Sequence, residues 1–235
     1  MSLIAFFGAL ESGLIYGLVA LGVLISFRTL DFPDLTADGS FPLGGAVAGI
    51  SIVAGINPWI ACAFGMLAGS VAGIVTAWLH VKLGILQLLA SILVMVALYS
   101  VNLRIMGAPN LPLLGETTVF SSLVTDGNGY WMRCLIIGVV VALAMLFLNW
   151  FYSTETGLSM RATGSNLRMA QAQGINTSWM TIIGMAISNG LIALAGALFV
   201  QTQGGADISI GIGTIVIGLA AVIIGETIIP AKRIW

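Results

Sequence analysis

Charge is what this chain has least of. Eight Lys and Arg, nine Asp and Glu and one His are spread over 235 residues, so charged residues make up 7% against 59% hydrophobic. A soluble domain carries about a quarter charged residues, and this composition excludes one. The formal net charge of -1 offers no basic face for nucleic acid and no argument for acidic partners. Catalytic motifs are missing too. There is no Gly-Lys dipeptide, hence no Walker A phosphate loop, and the chain cannot hydrolyse ATP by that chemistry. No Gly-x-Ser-x-Gly, no His-Glu-x-x-His and no Cys/His cluster occurs, which speaks against a membrane hydrolase or metalloprotease. The two cysteines, Cys62 and Cys134, lie in apolar stretches and read as small buried hydrophobes, not as a disulfide or a metal site.

What is there is membrane. A hydrocarbon core takes about twenty apolar residues per helix. By that measure residues 3–27, 59–79, 84–106, 131–152, 179–200 and 208–229 read as spans, and 43–56 as a short one. The expected fold is therefore all-α, a polytopic membrane helix bundle of about seven spans with one broken or short helix, forming a single domain over 1–235. The first apolar run is too long for a signal-peptide core and has no basic residues before it, so it is expected to remain as a span. Gly is abundant, 30 residues, which in a membrane chain means close helix approach. Gly13 and Gly17 have small-xxx-small spacing, and Gly65, Gly69 and Gly73 form a tandem stripe, a helix-packing face.

Between the first two spans, residues 28–42 hold Asp31, Asp34 and Asp38 with Pro33, Gly39 and Pro42. Pro and Gly there predict a partly buried, broken connection, a backbone tolerated at membrane depth only where protein or water satisfies it. The spacing of the three acids matches no metal loop, and Thr36 and Ser40 can cap a following helix. The Asn57-Pro58 step next to the short span predicts a discontinuous helix of the kind transporters place near substrate. Polar groups inside spans are pathway candidates: Thr36, Asp38 and Ser40 from the connection, Gln87 and Ser91 on one face of the fourth span, and Asn189 at the middle of another. Gln87 and Ser91 either bond another helix or line a pathway. Glu11 is either a solvated interfacial acid or an intramembrane group, while His80 beside Lys82 reads as a solvated boundary residue.

The longest polar interval is 153–178. Ser165 or Asn166 can cap a helix of about two turns over residues 167–173, and Gly174 supplies a left-handed stop. So short a helix needs something to pack on. It reads either as a loop lying on lipid headgroups or as a docking element for a cytoplasmic partner.

Gly157, Arg161, Ala162, Gly164, Asn166, Ala170, Gly174 and Ile175 in this interval resemble the cytoplasmic coupling segment of permease subunits of ATP-binding-cassette importers, in the branched-chain amino acid and ribose-type branch. A longer match, Phe27-Arg28-Thr29-Leu30-Asp31-Phe32-Pro33-Asp34-Leu35-Thr36-Ala37-Asp38-Gly39-Ser40-Phe41-Pro42-Leu43-Gly44, resembles the signature after the first helix in a subgroup that works with a periplasmic substrate-binding lipoprotein. The resemblance implies a bacterial inner-membrane permease that pairs with a second copy. Such a permease binds no cofactor of its own and is driven by cytoplasmic ABC ATPase subunits that hydrolyse ATP. It receives a small solute, an amino acid or related molecule, from an external binding protein. In that reading Leu167, Met169 and Ala170 seat in the ATPase cleft, Arg161 and Arg168 make rim contacts, and Gly164, Asn166 and Gly174 shape the ends of the helix. Members of the family usually continue beyond the Gly225-Glu226 region with a further hydrophobic hairpin, so the chain reads as short there.

If 153–178 is cytoplasmic and seven spans alternate, Arg28, Lys82, Arg161, Arg168, Lys232 and Arg233 fall inside and only Arg104 and Arg133 outside. That satisfies the positive-inside rule and puts the N-terminus outside. A secondary carrier would need ionisable groups in mid-membrane, and the span middles hold almost none. A scaffold without transport is disfavoured by the Asn57-Pro58 break and by Gln87, Ser91 and Asn189.

Overall fold

The computed structural model describes residues 3–121 and 129–228. Lys232 and Arg233, used above for orientation, lie outside the described residues, as do Asp126, Asn128 and Pro230. Among the described residues the elements are α1 (Leu3–Val23), a π-helical turn (Leu24–Thr29), α2 (Ala37–Val53), α3 (Pro58–Leu83), α4 (Gln87–Met106), β1 (Asn110–Pro112), α5 (Gly129–Ser153), α6 (Glu155–Ser165), α7 (Leu167–Ala172), α8 (Thr177–Gln203), β2 (Gly205–Asp207), a 3-10 turn (Ile208–Gly211) and α9 (Thr214–Ile228). Six helical segments are long and apolar enough to cross a membrane, and α2 is the shorter seventh. The chain is an all-α polytopic membrane bundle.

At the centre α8 packs against α2 and α3. The seam is made of glycine, because with lipid outside there is no hydrophobic drive between helices and close backbone contact must do the work. A Cβ on Gly44 would overlap the carbonyl of Ala193, one on Gly196 the carbonyl of Phe41, and one on Gly69 the methyl of Ala193. The tandem stripe of α3 is thus the packing face its spacing predicts. Gly13 and Gly17 are different: no atom lies within 4 Å of where their Cβ would be. In α1 the close residue is Gly22, against Ile192 and Ser188 of α8.

Two local readings of the sequence are corrected. Pro42 does not interrupt the chain but sits inside α2, which starts at Ala37, six residues before the apolar run at 43. Pro42 is the sixth residue of α2, so its missing amide leaves one carbonyl, that of Asp38, without its i+4 donor. The break instead covers residues 30–36, where Asp31 takes a left-handed φ of +52°. The Asn57-Pro58 step is no discontinuity within a span; Asn57 caps α3, its side chain accepting from Trp59 N at 3.0 Å, with Pro58 in the first turn.

The bundle has two distinct ends. At one, the π turn meets α6, the ring of Phe32 stands edge-on to His80 at 5.5 Å, and Arg28 pairs with Glu226 at 2.8 Å. His80 is a fixed boundary residue, its Nδ1 bonded to the Ile85 carbonyl oxygen at 2.7 Å. At the other end β1 pairs antiparallel with β2, Leu111 opposite Ala206. These two strands are an addition to the all-helical expectation. Asp207 closes the ribbon by accepting from the hydroxyl and amide of Ser209, bonds that hold its carboxyl below the usual range.

Candidate functional site

Halfway through the bundle the polar candidates of the sequence meet. Asn189, in the middle of α8, donates from Nδ2 to Asp34 Oδ2 at 2.7 Å and to the Met185 carbonyl at 3.2 Å, and its Oδ1 accepts from the Ser40 hydroxyl at 2.7 Å. Asp34 Oδ1 accepts from Thr36 N at 2.9 Å, and the hydroxyls of Thr36 and Thr76 lie 2.9 Å apart. All five side chains are buried. A carboxylate this deep needs hydrogen-bond partners, and Asp34 finds them in Asn189 of α8 and in Thr36 of its own segment. The knot ties the broken connection, α2, α3 and α8 into one body.

Sequence reasoning found Thr36, Ser40 and Asn189 but placed them on a pathway and left Asp34 out. The knot is closed upon itself and presents no free polar face. The expectation that Thr36 and Ser40 cap a helix also fails: Thr36 stands at the N-cap position of α2 without a side-chain cap bond, its hydroxyl taken by Thr76. What could have flagged Asp34 is its position in a Pro-containing break, two residues before Thr36, where an Asx-type turn to the Thr amide is the usual local bond.

Asp38 belongs elsewhere. Its Oδ1 accepts from Ile215 N at 2.8 Å and its Oδ2 from Gly213 N at 3.2 Å, so a residue of α2 caps the start of α9 across the bundle. A carboxylate at that end suits both the free amides and the helix dipole. The three acids that looked like a cluster thus do three jobs: Asp31 is exposed at a corner, Asp34 holds the knot, Asp38 caps a helix. Gln87 and Ser91 do not form a shared site either. Gln87 is the first residue of α4, and the Ser91 hydroxyl is spent on the Leu88 carbonyl of its own helix at 2.9 Å.

On the far side of α2 a residue that the sequence did not single out stands apart. Asn102 of α4 is fully buried and donates to the Gly39 carbonyl at 3.3 Å, while its Oδ1 has no partner. An unmade hydrogen bond at a buried atom costs about 1–3 kcal/mol. Asn102 lies in the wall of a cavity of about 280 Å³ between α2, α4 and the 3-10 turn that precedes α9, whose lining also includes Asp38, Pro42, Met95, Tyr99 and Ile212. A second hollow of about 560 Å³ adjoins it along α4, sharing Tyr99 and Ser100 and carrying Arg104.

The polar interval 153–178 forms two helices, not one. Thr154 caps α6 by accepting from Gly157 N at 3.3 Å, and Asn166 caps α7 by accepting from Met169 N at 3.0 Å. Gly174, at φ +82°, turns the chain into α8. The capped second helix is therefore as expected, with Asn166 rather than Ser165 as its cap, and α6 is the part missed. A Cβ on Gly164 would overlap the Thr29 carbonyl, so α6 lies directly against the π turn, and Met160 with Leu30 fills the space at Gly184 of α8. Thr29 also meets the Tyr152 hydroxyl of α5 at 2.9 Å. On α7, Leu167, Arg168 and Met169 are exposed, whereas Ala170 is buried against its own chain. Ala170 is thus a packing residue and is not available to a partner. Arg161, half-buried, faces the Tyr152 side of the same junction.

Against this geometry the family comparison is decisive: residues 5–231 match the family described as the branched-chain amino acid transport system / permease component. The chain belongs to that family. It is a permease subunit of an ABC transporter, carries a small solute, and has no ATPase motif of its own. Among its relatives is a tyrosine transport system permease protein of Clostridioides difficile, 41% identical over 93% of this chain and 72% of that protein. A probable branched-chain amino acid transport permease of Methanocaldococcus jannaschii is 27% identical over 80% of this chain and 64% of the relative. An autoinducer 2 import system permease protein of Salmonella typhimurium is 27% identical over 92% and 60%. No solved structure matches the chain. Two features of the fold stand open: the exposed face of α7 beside its support at the π turn, and the hollows along α4.

Proposed function

We propose that this permease is the membrane half of an importer that moves an amino acid, or a closely related small solute, inward at the expense of ATP hydrolysed by cytoplasmic ATPase subunits. Two copies form the pathway, and a periplasmic or lipoprotein binding protein delivers the solute. The membrane is the bacterial inner membrane, with α6 and α7 in the cytoplasm and the N-terminus outside. The positive-inside distribution of Lys and Arg supports that orientation, and the similarity to a tyrosine permease supports an amino acid as cargo.

One observation carries the coupling role. Leu167 and Met169 are 53% and 61% exposed on a short helix whose neighbour is packed backbone to backbone on the π turn. Two apolar side chains set out from a capped helix suit an apolar cleft on a partner. A push on α7 passes through α6 and Gly164 to Thr29 and the broken connection, with no soft layer between. Arg161 and Arg168 supply rim charges, and Gly174 fixes the turn that returns the chain to α8.

Deleting residues 166–173 is expected to abolish ATP-driven uptake of radiolabelled amino acids in cells that also express the ATPase and binding protein, while membrane insertion, read by protease protection, stays normal. Uptake at the unmodified rate would overturn the coupling role.

A further inference from the structure

The strongest unexplained feature is the pair of hollows on α4. The inner one is almost wholly apolar, built from Pro42, Met95 and Ile212 with the ring of Tyr99, and among the described residues its buried polar atom without a partner is Asn102 Oδ1. The outer one shares Tyr99 and Ser100 with it and holds the guanidinium of Arg104. At about 280 Å³ the inner space stands near the small end of the roughly 300–1,000 Å³ of ligand pockets, a size for a solute of amino-acid dimensions. A few convergent polar groups in an otherwise apolar concavity are what orient a small ligand.

We propose that these hollows form a solute-binding place for an amino acid with an aromatic or large aliphatic side chain. Its carboxylate sits on Arg104, its side chain lies between Tyr99, Met95 and Ile212, and a hydrogen-bond donor on the solute satisfies Asn102 Oδ1. The inference rests on the importer reading and names the cargo class and the contacts. The charge arrangement excludes other solutes. Arg104 is the cation of the outer hollow and favours a carboxylate, whereas an acidic side chain in the inner hollow would meet Asp38 and the bare Asn102 oxygen. A sugar would leave most of its hydroxyls facing apolar walls. Asn102 Oδ1 is closed from solvent, so a donor reaches it by displacing a neighbour, and the unbranched Met95 side chain is the one most easily moved.

Ser100 is exposed, while Cys62 and Cys134 are buried, so Ser100→Cys gives a single accessible thiol in the shared wall. The test is its rate of alkylation by N-ethylmaleimide in membranes containing the permease with its ATPase and binding protein. At ten times its dissociation constant, tyrosine is expected to slow labelling about tenfold, and phenylalanine, which lacks the phenol, to protect less well at equal concentration. Glutamate, lysine and ribose are expected to leave the rate unchanged. Adding Asn102→Leu should erase the advantage of tyrosine over phenylalanine. Should that double variant fail to reach the membrane, Ile212→Trp, at an exposed position, replaces it and should abolish protection by filling the inner space. Equal protection by ribose or glutamate, or no protection by any amino acid, overturns the proposal. Absence of labelling without solute, as when a second copy covers this face, also overturns it. Uptake by the unmodified chain is measured in parallel. Absent uptake would defeat the importer reading itself, whereas intact uptake without protection defeats only this site.

Discussion

Helices α8 and α9 are both apolar enough to span a membrane, yet 67% of the α8 span is buried within the bundle against 22% of the α9 span. Hydrophobicity therefore does not separate the centre of this permease from its margin. Two other things do. The centre is built on glycines in backbone contact, at Gly44, Gly69 and Gly196, and on a polar knot in which every group has a partner. At the margin α9 rests on α1, where Gly218 closes on Val19 and Val23, and is tied by Asp38 at its start and Arg28 near its finish. The glycine seam sets main chain against main chain and resists internal displacement, whereas α9 is packed chiefly on one neighbour, α1. A transporter needs both, since a rigid unit can only open a pathway by moving against something less firmly held.

The sharpest way to break this contrast is to widen the seam. Gly44→Leu would drive a side chain into the Ala193 backbone, and no rotamer of a neighbour relieves that, because the obstacle is main chain. Overpacking with movable neighbours costs about 1–3 kcal/mol, and this substitution should exceed it and prevent assembly of the bundle. Fluorescence-detected size exclusion should show loss of the monodisperse peak. Gly13→Leu, where there is open space, should run as the unmodified protein does. Equal behaviour of the two would refute a glycine-set core.

Asn189→Leu tests the knot. It removes one donor to Asp34 and, among the described residues, the acceptor of the Ser40 hydroxyl, leaving buried polar atoms bare at about 1–3 kcal/mol, with more for the carboxylate if it stays ionised. A lower melting temperature in detergent is expected, together with reduced uptake. Replacing Gln87 by Leu, at the first residue of α4, should change neither.

These two tests also mark what was legible beforehand. The spans could be read because apolar length is a one-dimensional property. The α3 stripe and the Asn166 cap could be read because small-xxx-small spacing and cap chemistry are local. Asn189 was recognisable as an interior polar group for the same reason. Its partner was not, since Asp34 lies 155 residues away in sequence and nothing local tells that the break at 30–36 folds back to mid-membrane. The capping bonds of Asp38 were not foreseen because its partners, at the start of α9, lie 175 and 177 residues away. Asn102 escaped notice because one polar residue near a span end is ordinary until its oxygen is found without a partner. In each case the missing information was a long-range contact.

At the margin, Asp38→Ala should free the amides of Gly213 and Ile215 and cost about 0.5–2 kcal/mol, the range for a lost helix cap. The effect should be local. Hydrogen exchange is expected to accelerate in the first turn of α9 and not in α8. Exchange rising equally in both would mean that the margin is not separable from the core.

The smallest effect belongs to the other attachment of α9. Arg28 and Glu226 are both well exposed, and an exposed ion pair contributes about 1 kcal/mol or less because water and salt compete for it. Arg28→Gln is therefore expected to leave the melting temperature almost unchanged. Its position gives it a different kind of weight. Arg28 is in the π turn, one residue before the Thr29 carbonyl on which Gly164 rests, so the pair joins the support of the coupling helices to the far end of the loosest span. If α9 moves when α7 is pushed, breaking this pair should lower the ATP cost efficiency of transport, read as solute moved per ATP hydrolysed, while the basal ATPase rate holds. The charge-swapped pair, Arg28→Glu with Glu226→Arg, should restore the ratio, because the contact is simple enough to work in either polarity. Failure of the swap to restore it would show that Arg28 acts through the π turn itself and that α9 is a bystander.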